Sequence, residues 1–297
     1  MDVLKWLRSE GCPWDAFACS GAARGGHLEA LKWLKSEGCP WRNESSKCTI
    51  AAQGGHLEVL KWLRSEGFSW GIACSSAAKG GHLEVLKWLR SDGCPWSEQS
   101  CAGAAEGGHL EILKWLRSEG CPWNERTCEL ADGGGHLDAL KYAHENGCPW
   151  DELTCKLAAY EGHLDVLKFA HENGCPWDRK TCEMAACRGH LDVLKYAHEN
   201  GCPWDVWTLE HAVRHGHLDV LKYLRENGCP WNDRSWYCAT KSARKWLKEN
   251  GYLQTLIDEY NEWREWQRNR RYSDDSDVFS SDYISSSDEY SSDELDD

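Results

Sequence analysis

Along GHLDVLKFAHENG, residues 162–174, the apolar side chains Leu164, Val166, Leu167, Phe169 and Ala170 interleave with polar Asp165, Lys168, His171 and Glu172. That spacing predicts a helix, and its apolar arc is wider than one stripe, as suits a helix covered on several sides. Asn173 and Gly174 end it. Glycine takes the left-handed backbone cheaply, and Pro176 keeps the helix from resuming. After Trp177, Asp178 supplies an N-cap for a shorter helix through Thr181, Cys182, Met184, Ala185 and Ala186 to Gly189. Asp15, Ser97, Asn124, Asp151 and Asp205 offer the same cap elsewhere.

This pair of helices recurs. Gly-Cys-Pro-Trp begins at Gly11, Gly38, Gly93, Gly120, Gly147, Gly174, Gly201 and Gly228, with Gly-Phe-Ser-Trp at Gly67, at a spacing that is almost always 27 residues. Between these turns, Gly-His-Leu places His27, His56, His82, His109, His136, His163, His190 and His217 in eight complete units. Units of this size cannot bury their own apolar faces and are stable only against neighbours, so the chain reads as an all-α solenoid over residues 1–251. Two extra residues around Arg42 to Lys47 and one missing around Gly71 both fall between the tryptophan and the short helix, where a loop tolerates them. Function is therefore expected on a surface.

These residues resemble ankyrin repeats. The family's second helix and turn run G-H-x-x-V-V-x-x-L-L-x-x-G-A-D-V-N; GHLEILKWLRSEG at 108–120, followed by CPWN, is similar nearly position by position, and Ala104-Ala105 and Ala158-Ala159 match the pair before the Gly-His. The family unit is about six residues longer, so the β-hairpin fingers are expected to be shortened or absent. Cys128, Cys155 and Cys182 take the leucine place of the family's T-P-L-H box, and Glu129, Lys156 and Glu183 that of its histidine. The 27-residue form with Cys-Pro-Trp resembles arrays encoded by giant DNA viruses of amoebae and by some protists. The resemblance implies a non-catalytic scaffold, without cofactor, that binds another protein, a host protein if the viral likeness holds. It also implies that the short helices line a concave face and the long helices the outer one.

The chain carries 34 Lys and Arg against 48 Asp and Glu, a net charge of −14; ten of the acids lie in residues 272–297, which hold no base. With the remainder only slightly acidic, no nucleic-acid partner is expected, since phosphate binding needs clustered cations. No segment approaches the roughly 18 apolar residues of a membrane span, and the N-terminus lacks a secretory pattern, so an intracellular protein, in host cytoplasm or nucleus, is expected. Seventeen cysteines would suit a disulfide framework in a secreted chain. Here Phe68 replaces the turn cysteine in one unit and Leu209 the helix cysteine in another, which is how a small buried hydrophobe behaves.

Two chemistries compete with the scaffold reading. A metal- or redox-responsive assembly would use the repeated Cys and His: His144 with Cys148, His171 with Cys175 and His198 with Cys202 lie near one helix end, and His211, His215 and His217 cluster in one unit. Zinc wants about four converging ligands, and these pairs are held one per unit. An enzyme reading has no phosphate loop, nucleophile elbow or His-Glu-x-x-His to rest on. The nine tryptophans from Trp14 to Trp231 that close the turns read as a buried ladder of successive indoles.

Comparison of the units separates scaffold positions from free ones. The free ones are Phe17, Arg42, Glu44, Gln99, Arg126, Lys156, Arg179, Lys180 and Trp207, with Tyr160, Arg188, Arg214 and His215 near the end of the short helix. Their aromatic and arginine content suits a binding surface, and they are the expected partner-contacting residues. The change from KWLRSEG to KYAHENG in the units ending at Gly147 and Gly201 is explained by block duplication. The chain starts on a second helix whose edge has no preceding unit, so self-association there is expected. A capping helix is expected over 252–271, and residues 272–297 are too polar for a core and should be disordered, with Ser285, Ser286 and Ser291 each three residues before an acid as phosphorylation candidates.

Overall fold

The computed structural model describes residues 2–41 and 44–252, with the backbone alone at 44, 45, 233 and 234. The Ser/Asp/Glu tail, its serines and all but the first residue of the expected capping helix lie outside the described residues. The array through Trp246 is one compact unit; of the second, only 247–252 are described.

Long helices Asp2–Ser9, Leu28–Ser36, Leu57–Ser65, Leu83–Ser91, Leu110–Ser118, Leu137–Glu145, Leu164–Glu172, Leu191–Glu199 and Leu218–Glu226 alternate with short-helix partners. These are Ala16–Arg24, Glu44–Gln53, Ala73–Lys79, Glu98–Glu106, Glu125–Gly133, Glu152–Glu161, Arg179–Arg188 and Val206–His215; Asp233–Tyr237 and Lys241–Glu249 follow. Against expectation the short-helix partners, Ala73–Lys79 apart, are not shorter, reaching 10 residues where the long helices have at most 9, so long and short name only the two places in the unit. Among the described residues there is no strand, and the loops between units carry no hairpin. No described helix is long and apolar enough to cross a membrane. The first helix buries no side chain.

The anchor strings encode two stops per unit. At the end of a long helix, Gly38 has φ +71 and the Cys39 amide donates back to the Leu34 carbonyl at 3.0 Å while Gly38 donates to Lys35 at 3.1 Å. This is the Schellman pattern, in which the residue after the glycine also packs inward; Cys39 and its equivalents Cys94, Cys121, Cys148, Cys175, Cys202 and Cys229 are buried. At the end of a short helix, the Gly-His pair repeats the device, with the His27 amide bonded to the Ala22 carbonyl at 2.9 Å.

The histidines then reach back one unit. Nε2 of His56, His82, His109, His136, His163, His190 and His217 bonds the carbonyls of Arg24, Gln53, Lys79, Glu106, Gly133, Tyr160 and Cys187 at 2.8–3.3 Å. Each satisfies a last-turn carbonyl that its own helix leaves without an amide. The ring lies on the left-handed glycine of that earlier unit: a methyl on Gly108 would come 2.5 Å from His136 Nδ1, whereas one on Gly120 meets nothing within 4 Å. Both glycines have positive φ, +71 and +78. Gly120→Ala should therefore cost only the backbone strain of about 1–2 kcal/mol. Gly108→Ala adds the displacement of His136 and should lower the urea midpoint distinctly more; equal losses would show that the ring has no part in joining the units.

The turn tryptophans do not form a ladder of successive indoles. A one-unit offset is too long for ring contact, and an aromatic of the following long helix stands between. Trp14, Trp41, Trp70, Trp96, Trp123, Trp150, Trp177 and Trp204 meet Trp33, Trp62, Trp88, Trp115, Tyr142, Phe169, Tyr196 and Tyr223 at centroid distances of 5.5–6.3 Å. Trp70 alone among the turn indoles is buried; the others are half-buried. All but Trp41, which lies 5.2 Å from Lys47 of the following helix, are covered from the preceding long helix. Arg8, Arg64, Arg90, Arg117 and Arg225 lie 3.9–4.8 Å from the ring centroid six residues on. In three units His144, His171 and His198 stack instead on Trp150, Trp177 and Trp204 at 3.4–3.7 Å. The change from KWLRSEG to KYAHENG thus exchanges a cation–π lid for a stacked imidazole.

Candidate functional site

Successive short helices pack more closely than successive long ones, so their side is the tightly wound one. Five of them begin at a side-chain cap: Asp15, Ser97, Asp151, Asp178 and Asp205 accept from the amides of Phe17, Gln99, Leu153, Lys180 and Trp207 at 2.9–3.3 Å. Asn124 has the same extended backbone without the side-chain bond. The residue whose amide the cap holds points outward, as do its counterparts Ile72 and Arg126 in the shortened and uncapped units; in helix Glu44–Gln53 the same register is Ser46, which is half-buried.

This register forms a row along the array: Phe17, Ile72, Gln99, Arg126, Leu153, Lys180 and Trp207, all exposed. Among the described residues seven large apolar side chains are exposed, and four of them stand in this row: Phe17 at 81%, Ile72 at 56%, Leu153 at 40% and Trp207 at 39%. Beside its middle runs a groove of about 370 Å³ whose lining includes Ile72, Gln99, Arg126, Lys79, Glu106 and Leu130. Lys79 and Glu106 pair across adjacent units there at 2.6 Å.

The other expected contact residues divide. Lys156 is held by Asp178 at 3.3 Å and Glu152 at 3.8 Å, Arg179 by the next cap Asp205 at 2.8 Å, and Arg214 by buried Glu210 at 2.5 Å. These cations join units or helical turns of the array itself. Arg188 lies 4.6 Å over the Tyr160 ring, and both line a second cleft with His215. Arg42 and the Glu44 side chain lie outside the described residues. Reading the sequence missed Ile72, because the one-residue deletion beside it hides its register, and Leu153, because an apolar residue on a helix reads as core.

The Cys and His groups are mostly absorbed by the scaffold. Among the described residues every cysteine is free of disulfide, and all but Cys12, Cys187 and Cys238 are buried. Burial pushes the thiols of Cys19 and Cys229 up to about 12 and that of Cys48 to about 11, so none of these is a ready thiolate. The His144–Cys148 pairing comes apart: the imidazole stacks on Trp150 and the thiol donates to the Asn124 carbonyl at 3.2 Å. The ring of His217 stays 6.2 Å from that of His215, but its Nε2 is taken up by the Cys187 carbonyl at 3.1 Å. His211 remains, held below the ordinary histidine range by burial against the opposing pull of Glu183.

The architecture defines the class: a helix–turn–helix repeat solenoid with an ankyrin-like unit. Residues 155–235 match the family model of ankyrin repeats, in three copies. Among solved structures, the human ASB11 ankyrin repeat domain is similar over 57% of this chain and 91% of that chain, with 19% sequence identity and a TM-score of 0.48. No curated protein matches the chain.

Proposed function

We propose that the chain is a non-catalytic scaffold that binds another protein along the row at the start of its short helices. Ankyrin repeats are protein–protein interaction modules, and the observation that carries the reading here is the register of exposed side chains. Apolar residues scattered over a surface need no explanation, but four at one position of a repeated unit, two or three units apart with polar side chains between, offer an extended partner a series of anchors. Phe17, Ile72, Leu153 and Trp207 supply the anchors, while Gln99, Arg126 and Lys180 supply polar contacts between them. The partner in this reading is a host-cell protein, on the likeness of the units to arrays of giant viruses of amoebae.

The test is partner capture by the full chain and by a chain carrying Ile72→Ser, Leu153→Ser and Trp207→Ser. All three side chains are exposed, so the variant should keep its helical content and melting temperature and lose the captured protein. Capture retained at full strength would remove the row from the interface.

A further inference from the structure

Three residues that the repeat pattern does not require converge in space. Cys187 occupies a place held by Arg24, Gln53, Lys79, Glu106, Gly133, Tyr160 and Arg214 in the other units, and so belongs to neither repeated cysteine position. His215 stands where other units have Gly134, Glu161 or Arg188, and His211 where they have Gly103, Leu157 or Met184. His211 and His215 are four residues apart on helix Val206–His215, their rings within 10° of parallel, while Cys187 comes from the preceding short helix, Arg179–Arg188. The ligand atoms of the three all lie within 4.8 Å of one another.

We propose that Cys187, His211 and His215 form a site for a zinc-class divalent ion. One thiolate and two imidazoles are the donor set that zinc takes, and a tetrahedral ion with Zn–S of about 2.3 Å and Zn–N of about 2.0 Å holds its ligand atoms roughly 3.5 Å apart. Rotation of the side chains through about an ångström closes the set, and the Cys187 proton leaves to solvent as the metal binds. The imidazoles are not engaged elsewhere in the scaffold manner. Seven repeated histidines bond carbonyls one unit back and three stack on tryptophan, but Nδ1 of His211 is buried with no hydrogen-bond partner. The two nearby guanidiniums have partners of their own: Arg214 is paired with Glu210, and Arg188 lies over Tyr160. Cys187 and His215 open on a cleft of about 480 Å³ lined also by Tyr160, Glu161 and Arg188, which leaves the fourth coordination position to water. The site stands independently of the protein-binding reading.

Titration of the full chain with Co²⁺, followed by absorbance, tests it. The expected result is one ion per chain, with the intense visible bands of a tetrahedral site and a thiolate-to-cobalt charge-transfer band, all displaced by Zn²⁺. Cys187→Ser should abolish the charge-transfer band. His215→Ala, at a position where other units carry glycine, should keep the fold and weaken binding at least about tenfold. No charge-transfer band, or one that survives in Cys187→Ser and so resides on Cys12 or Cys238, would overturn the assignment.

Discussion

Trp70→Ala will destabilise the array by about 3–5 kcal/mol, the largest loss among alanine replacements of the turn tryptophans. Trp70 is 6% exposed, its ring meets Trp88 edge-on at 5.6 Å, and the Arg64 guanidinium lies 4.8 Å from its centroid. The missing residue beside Gly71 shortens this loop, and here alone the turn indole is fully drawn in. Its Nε1 is buried without a hydrogen-bond partner. Trp70→Phe should therefore cost far less than Trp70→Ala, because it keeps most of the ring and removes an unsatisfied donor. Trp123→Ala, at a half-buried indole between Arg117 and Tyr142, should fall below Trp70→Ala. Urea midpoints of the three variants check the order; equal losses at Trp70 and Trp123 would mean that burial of the indole does not set its contribution.

Asp132→Ala should stabilise the protein at neutral pH, by about 1–3 kcal/mol. Asp132 is fully buried at a position where the other units carry Ala23, Ala52, Ala78, Ala105, Ala159, Ala186 and Val213, so alanine fits without rearrangement. Neither carboxyl oxygen has a hydrogen bond of good geometry. Burial drives its pKa well above the ordinary value, and the backbone amide of Ala158 offsets only part of that. The sign follows from proton linkage. As pH rises past about 4, the unfolded chain loses this proton while the folded chain keeps it, so wild-type stability falls until the folded group titrates and is level above that. The advantage of Asp132→Ala should be largest at pH 7.5 and shrink towards pH 4. Melting curves of both chains at the two pH values read this directly, and a variant no more stable than wild type at pH 7.5 would contradict it.

Much of the fold was legible because each anchor string has one local job. Gly38-Cys39 spells a Schellman stop and Asp178 a cap, and such local geometry follows from short-range chemistry alone. What the strings do between units was not legible. That His136 reaches the Glu106 carbonyl, or that Arg117 and His144 serve as alternative lids for an indole, depends on how one unit is placed on the next. The surface follows the same division. Phe17, Gln99, Arg126 and Trp207 were readable as variable, whereas Lys156, Arg179, Lys180 and Arg214 were equally variable and prove to be paired inside the array, Lys180 with Glu183 while still exposed in the row. Variation between units marks freedom from the repeat pattern, and a residue so freed can still be spent on a neighbour. Cys187 is the converse case: an unremarkable residue in its own unit that acquires meaning only beside His211 and His215 of the next.

The measurement closest to the central claim is quantitative partner capture by three full-length chains: wild type, the Ile72, Leu153 and Trp207 serine variant, and a control with Lys61→Ser, Lys87→Ser and Lys114→Ser. Those lysines are exposed on the long helices, each paired with a glutamate one turn earlier. Exposed pairs of this kind contribute little to stability, so both variants should melt close to wild type. The account predicts that the serine row loses the partner and the lysine control keeps it. Loss with the lysine control and retention with the row variant would place binding on the long helices and contradict it.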